Sequence, residues 1–326
     1  MIHISGAGPA GSSAALAALS QGAAVRLYEK SPFPRHKVCG EFLSPEIQPA
    51  LESLGAWRAF TQAAPSAIRR ATLHFGRREK SWRLPEPAFG LSRYRLDQLL
   101  CDCAAARGAE IVHEVFRPTG GAEILAHGRK GAAPKGNRLF GFKAHFTGPS
   151  TDAVELFFSS KCAYAGVSSV EDGITNVCGL APESLLADYN FDIDTFIAGW
   201  TPLAARIAPL LRTMDWLTTG PLLFGLDYSP SRDNQYRTGD GLGFIDPFTG
   251  SGILSAVVTG TLAGLAAANE TPSATYLQQC AGILRWQYRI SGLARFAILS
   301  GLAEEFACWL PGRFLFNITR PHLALK

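Results

Sequence analysis

Charge is scarce in this chain of 326 residues: 18% are Asp, Glu, Lys or Arg, and 31 basic against 27 acidic side chains leave a formal net charge of +4. No stretch resembles the basic stripe that tracks a phosphate backbone, so nucleic acid is not an expected partner. The seven cysteines are odd in number and include no C-x-x-C pair. That argues against a disulfide framework and a zinc ribbon, and no metal is expected. Cys101 and Cys103 lie two apart in a helical pattern and so on different faces. A secretory leader is not expected either, because the apolar start is a short strand broken by His3 and glycines, and the cytoplasm is the expected compartment. One run is free of charge for long enough to imitate a membrane span, between Asp246 and Glu270. With Gly260 and Gly264 inside it, a buried helix packed closely on a sheet explains it better. Apolar residues are plentiful: 47% hydrophobic composition suffices for two domains or one large one.

Two segments far apart in the chain carry the chemistry. In residues 1–29 the apolar Ile2-His3-Ile4 reads as a strand, followed by Gly6-Ala7-Gly8-Pro9-Ala10-Gly11 and a small-residue helix over 12–19. A second apolar strand over 24–28 then ends in Glu29, eighteen positions after Gly11. Each residue type has a reason in a dinucleotide-binding turn. Gly6 allows the tight turn, Gly8 lets backbone approach a pyrophosphate, Gly11 lets helix and strand lie close, and Glu29 can accept from ribose hydroxyls. The second segment, residues 239–253, reads GDGLGFIDPFTGSGI. Asp240 stands between two glycines with its carboxylate open to hydroxyl donors. Asp246-Pro247 is biased away from helix, and Thr249-Gly250-Ser251-Gly252 opens the next one. The unpaired N–H groups and dipole of that helix start favour negative charge.

GAGPAG at the start, with GDGLGFIDPFTGSGI about 230 residues later, resembles the FAD-dependent family of aromatic hydroxylases, flavin halogenases and geranylgeranyl reductases. The resemblance covers nearly the whole chain. It implies an α/β fold: a Rossmann-like FAD-binding domain of the GR2 type, an inserted α+β substrate domain built on an antiparallel sheet, and a helical C-terminal segment. The flavin-binding parts would be residues 1–66, 92–137 and 226–270, the substrate-domain parts 67–91 and 138–225, and the helical segment 271–326. The cofactor-binding residues implied at the two ends are Gly6, Gly8, Pro9, Ala10, Gly11, Glu29 and Lys30, then Gly239, Asp240, Pro247, Gly250, Ser251, Gly252 and Ile253. Reduced flavin is anionic, which suits the later helix start.

Between these ends, residues 31–44 read SPFPRHKVCGEFLS and resemble the reductase branch, where a cysteine followed by glycine occupies the same place. Arg35 and Lys37 are candidates to meet a phosphate or a substrate anion, and Gly40 joins the cofactor set. Cys39 and Glu41 are the candidate catalytic residues. The Cys39 thiol either faces the flavin and shapes the substrate pocket or is a small buried apolar group. Glu41 is either a proton donor or a partner for Arg35 or Lys37. The family places an arginine four residues before an aspartate at a helix start, which maps to Arg93 before Asp97, with Arg95 second. Members then carry an Ala-Asp-Gly-Arg fingerprint after a longer sheet. Here residues 117–123 read as a short bridge, and His127 replaces the aspartate while Gly128 and Arg129 keep the close approach and the cation.

Period-2 alternation predicts a hairpin over 67–91 turning at Gly76, and strands over 140–146, 154–158, 162–167 and 174–180. A helix is expected over 188–208, and a helical tail over 276–326 that includes Leu293, Phe296, Leu302, Phe306 and Leu310. His145 reads as a satisfied sheet residue. The resemblance implies an FAD oxidoreductase reduced by NAD(P)H, with three reactions open. The first is hydride transfer to an apolar unsaturated substrate, prenyl- or polyketide-like, in the manner of geranylgeranyl reductases. The second is hydroxylation of an aromatic or polyketide substrate, and the third is bound flavin without turnover, suggested by the short middle and His127. Halogenation is disfavoured, because the six tryptophans include no pair one residue apart to make a W-x-W-x-I-P signature. The tail is either a cap on the flavin domain or an apolar surface that rests on a membrane.

Overall fold

The computed structural model describes residues 1–76, 78–128, 138–222, 224–227, 229, 231–299 and 312. Five short strands build a wholly parallel sheet in the order Gln235–Arg237, Ala122–Leu125, Ile2–Ser5, Val25–Tyr28, Glu110–Val112. Ile4 lies opposite Leu27 on one side and Ile124 on the other, and all three are fully buried. Parallel neighbours need a crossover, and the first is the helix Pro9–Ser20. Proline at its first turn gives up an N–H that has no intrahelical partner anyway. This helix is buried from residue 9 to residue 18, enclosed by the sheet and by the helices Arg93–Ala106 and Gly252–Ala268.

The contact with Gly252–Ala268 is backbone on backbone. A methyl group added at Gly260 would lie 2.1 Å from the Ala10 carbonyl oxygen, and one at Gly264 would lie 2.2 Å from that of Ala14. The charge-free run is therefore a helix of 17 residues packed on another helix, and no described helix is long and apolar enough to cross a membrane. The last described helix, Ser273–Leu299, follows directly. The expectations for Arg129 and for Leu302, Phe306 and Leu310 lie outside the described residues.

The second sheet runs Leu211–Arg212, Leu139–Thr147, Thr175–Pro182, Tyr164–Ser169, Ala153–Phe158, Ser66–Phe75, Arg78–Gly90, Phe42–Leu43, with Leu217–Leu222 also on Leu139–Thr147. It is mixed and not wholly antiparallel: Ser66–Phe75 runs parallel to Ala153–Phe158, at the seam between the hairpin and the later strands. Gly76 turns the hairpin at φ +55°. Its return strand is longer than expected because a register shift between Ile68 and Arg70 accommodates Pro85 and Pro87, which donate no ladder bonds. Phe42–Leu43, expected with the flavin-binding part, pairs with Phe89 and Gly90 in this sheet. Glu123 belongs to the strand Ala122–Leu125 and not to a bridge.

One face of the second sheet, with Phe142, Phe146, Val167 and Val177, forms an apolar core with short helices. The single helix expected over 188–208 is broken into Ile193–Ala198 and Thr201–Ile207, after a separate Glu183–Ala187. Asn190 and Phe191 take φ of +52° and +57° between them, a conformation no helix continues through. The other face of the sheet looks toward the parallel layer, and there the site lies.

The backbone contact is testable. Gly264→Ala is expected to destabilise the protein by about 1–3 kcal/mol in urea unfolding, because neither helix can yield at that point. Gly282→Ala, on the exposed side of the last helix with nothing within 4 Å of the added methyl, is expected to be neutral or to stabilise by up to about 1 kcal/mol.

Candidate functional site

Both end motifs open into one cavity of about 1500 Å³. Its wall takes Gly6, Gly8, Pro9 and Ala10 from the first turn, Glu29 and Lys30 from the end of the second strand, and Gly239, Asp240, Pro247, Gly250, Gly252 and Ile253 from the late motif. The glycines divide by role. Gly6 has φ +98°, and a methyl there would meet the Ala126 carbonyl oxygen at 2.6 Å, while one at Gly11 would meet that of Gly6 at 1.7 Å. Gly8 has nothing closer than 3.6 Å, so its backbone is open to the cavity. Gly250, at φ +65°, closes the turn before the late helix beside the Phe42 ring, and Gly252 faces open space. Two helix N-termini thus present free N–H groups to one chamber. Ser251 is fully buried, with its hydroxyl turned to the Thr249 carbonyl, and its neighbours Gly250 and Gly252 line the wall. Asp240 is placed by the Gly239 N–H, which donates to Thr259 Oγ1 at 3.0 Å.

Cations around the first turn are held by carboxylates. Arg93 grips Asp97 through two hydrogen bonds of 2.6 and 2.9 Å, and Lys37 reaches the same carboxylate at 2.6 Å. The Arg93 guanidinium and the Lys37 ammonium both stand 3.6 Å from the space beside Gly8. Burial disfavours the Asp97 carboxylate, but Arg93 and Lys37 outweigh it and hold the group below its ordinary value. Burial, then the Arg93 charge, lower Lys37. Two cations against one anion leave a positive excess at the turn, which fits a pyrophosphate. Farther out, Arg35 pairs with Glu29 at 3.0 Å, and Glu29 also accepts from the Ala7 and Ser31 amides. Residues 1–40 and 239–253 therefore fit the adenosine diphosphate and ring edge of FAD, with open backbone where phosphate would come close.

Glu41 pairs with neither Arg35 nor Lys37. It is fully buried, with φ +54°, and accepts from the Arg93 N–H at 2.6 Å, from Lys143 Nζ, and from His145 Nε2 at 2.7 Å. Burial acts to raise its carboxyl, yet His145 and Lys143 together hold it below its ordinary value. Its carboxylate oxygens meet three donors, and all three contacts favour the ionised form. His145 is satisfied, as the sequence implies, but by a carboxylate 104 positions away. His36 stands edge-on to His145. His36, Glu41 and His145 bring ligand atoms within 4.8 Å of one another, though the Lys143 ammonium already neutralises that carboxylate.

Cys39 lines the cavity; its sulfur accepts from the Glu41 N–H at 3.4 Å and its carbonyl from Asn176 Nδ2 at 3.1 Å. Cys178 lies nearby on the facing strand, and burial pushes its thiol well up. His127 meets Ser5 Oγ at 3.2 Å through Nδ1 and, with Gly128, forms part of the wall. At the far end the wall becomes apolar, with Leu73, Phe75, Leu156, Phe158 and Leu180 from the second sheet. The sequence reading missed Lys143, Tyr164 and Cys178. Alternation does set Gly141, Lys143 and His145 on one face of their strand, but a polar face reads as solvent-facing, and here it faces the site. Asp246 is buried too, receiving Ser291 Oγ at 2.7 Å and Arg295 at 3.4 Å from the last helix. Burial raises its carboxyl against both partners.

Removing the Glu41 charge is expected to be costly. Glu41→Gln leaves the buried Lys143 ammonium without its anion and should lose about 3–5 kcal/mol of stability at neutral pH. A carboxyl lowered on folding stabilises above its unfolded pKa and ceases to do so as pH falls through the folded value. The gap between wild type and variant in urea melts should therefore narrow below the ordinary value of 4.5.

No protein-family model and no curated protein matches the sequence, but solved structures match the fold. The flavin-dependent brominase Bmp2 superposes with a TM-score of 0.79 at 17% identity, over 98% of this chain and 92% of that one. A geranylgeranyl bacteriochlorophyll reductase-like protein from Thermoplasma acidophilum gives 0.71 at 18% identity, over 98% and 91%. The myxobacterial chondrochloren halogenase CndH gives 0.72 at 16%, over 90% and 80%. At such identities the likeness is one of fold and not of reaction. With two end motifs meeting in one cavity, a parallel layer, a mixed second sheet and helices beyond, the chain has the fold shared by FAD-dependent halogenases and geranylgeranyl reductase-like proteins.

Proposed function

We propose that the chain is an FAD-dependent oxidoreductase that draws electrons from NAD(P)H and acts on an apolar unsaturated substrate of prenyl or polyketide type. The observation that carries this reading is the two-ended cavity. Its near end has open glycine backbone, two helix N-termini and a cationic excess, and its far end is walled by the apolar face of a sheet. Glu29 with Arg35 would take the adenosine ribose, Gly8 with Lys37 and Arg93 the pyrophosphate, Asp240 the ribityl chain, and Gly250, Gly252 and Ile253 the ring edge. When bound, FAD supplies the two-electron chemistry; the chain supplies orientation, electrostatics and exclusion of water. Leu73, Leu156, Phe158 and Leu180 keep water from the far chamber, and the Cys39 thiol shapes its border. Glu41 holds Lys143 and His145 in place as an anion and moves no proton.

Purified protein is expected to be yellow, and anaerobic NADH or NADPH is expected to bleach it. Gly8→Val, which fills the open space at the turn, should weaken FAD retention by more than tenfold in titration, since backbone must approach the phosphates there. After photoreduction, mixing with oxygen in a stopped-flow spectrometer should return the oxidised spectrum in one phase. A second, slow phase together with a hydroxylated product would move the reading to a monooxygenase. A yellow protein that neither nicotinamide bleaches, with candidate substrates present, would have bound flavin without turnover.

A further inference from the structure

The far chamber is apolar except for a few atoms, and among them is a phenol. Tyr164 lies on the strand Tyr164–Ser169 with its side chain in the cavity wall. Its hydroxyl oxygen is buried, and no described group accepts its proton. The Phe248 backbone amide approaches that oxygen as a donor, so the hydroxyl proton still lacks an acceptor among the described residues. Burial, reinforced by Cys178 and Asp246, raises the phenol well above its ordinary value, and it stays protonated. The Tyr164 ring stands edge-on to Phe248, 5.8 Å between centroids, and Phe248 belongs to the turn Pro247–Thr249 that opens the late helix. The phenol therefore stands where the apolar chamber meets the flavin-edge motif. Gly166, two residues on and on the same face of the strand, also lines the cavity.

A buried O–H without an acceptor is rare in folded proteins and is relieved by any ligand oxygen that reaches it. We propose that Tyr164 is a substrate-positioning residue whose hydroxyl donates to a carbonyl or phenolic oxygen of an otherwise apolar substrate, so that the chamber selects oxygen-bearing molecules over hydrocarbons of the same shape. This inference rests on the reading of the cavity as a flavin and substrate site. It narrows the substrate from any greasy chain to a polyketide-like ring, or to a prenyl chain that carries an oxygenated ring.

The test uses FAD-loaded wild type and Tyr164→Phe, which removes the hydroxyl and keeps the ring. FAD content and melting temperature establish that the variant is folded. Each protein is titrated with 2-naphthol and with 2-methylnaphthalene, a pair matched in shape, by perturbation of the flavin absorbance. Wild type should bind 2-naphthol about tenfold more tightly than 2-methylnaphthalene, and the variant should bring the two within about twofold, the loss expected for one buried hydrogen bond. Equal binding of both probes to wild type, a preference that survives in the variant, or no perturbation by either probe would each overturn the proposal while the flavin stays bound. Wild type that takes up no FAD is a different result: it removes the cofactor reading, and this inference with it.

Discussion

Everything in this molecule depends on two helices that touch without side chains. Gly260 and Gly264 bring the late helix onto the carbonyl oxygens of Ala10 and Ala14, so two segments more than two hundred positions apart present their N-termini to the same space. A methyl at either glycine would push the late motif away from the first turn, and the cavity would lose a wall. The fold carries its function at a crossing where nothing larger than hydrogen fits, which is close packing at its limit.

The second constraint is electrostatic. Arg93, Lys37 and Asp97 form one cluster at the first turn, and Arg93 also donates its backbone N–H to Glu41. Glu41 in turn holds Lys143 and His145 on the facing sheet. The segment over residues 36–44 thus stitches the parallel layer to the second sheet through a chain of buried charges, each with a partner. A left-handed conformation at Glu41 is unusual for a residue with a side chain. Hydrogen bonds to Arg93 on one side and to Lys143 and His145 on the other hold it there.

What the sequence made legible was local. The role of each glycine in the first turn follows from sterics over a handful of residues, and the strand, turn and helix around them follow from the same short window. The late motif is equally local, except that Ser251 turns inward, which its neighbours do not signal. The clamp on Glu41 was hidden because its partners lie more than a hundred positions away, and because alternation cannot distinguish a face turned to water from one turned to a cavity. The break between Ala187 and Ile193 was hidden for another reason: Asn190 and Phe191 take positive φ with no glycine or proline to announce it. The parallel seam between Ser66–Phe75 and Ala153–Phe158 depends on where two separate insertions meet, and no window on the chain contains both.

The order of strands has a consequence for how the chain comes into being. The first strand, Ile2–Ser5, is central in its sheet, but the edge strand Gln235–Arg237, beyond Ala122–Leu125, is made about 230 residues later, and the second sheet is threaded between them. Neither layer exists as a continuous stretch of polypeptide. On the ribosome, Ile2–Ser5 can pair early with Val25–Tyr28, but the open edge of Ala122–Leu125 must wait for residues 235–237. Closure of the parallel layer is thus the last step its strand order allows, and until then one sheet edge stays open to other chains.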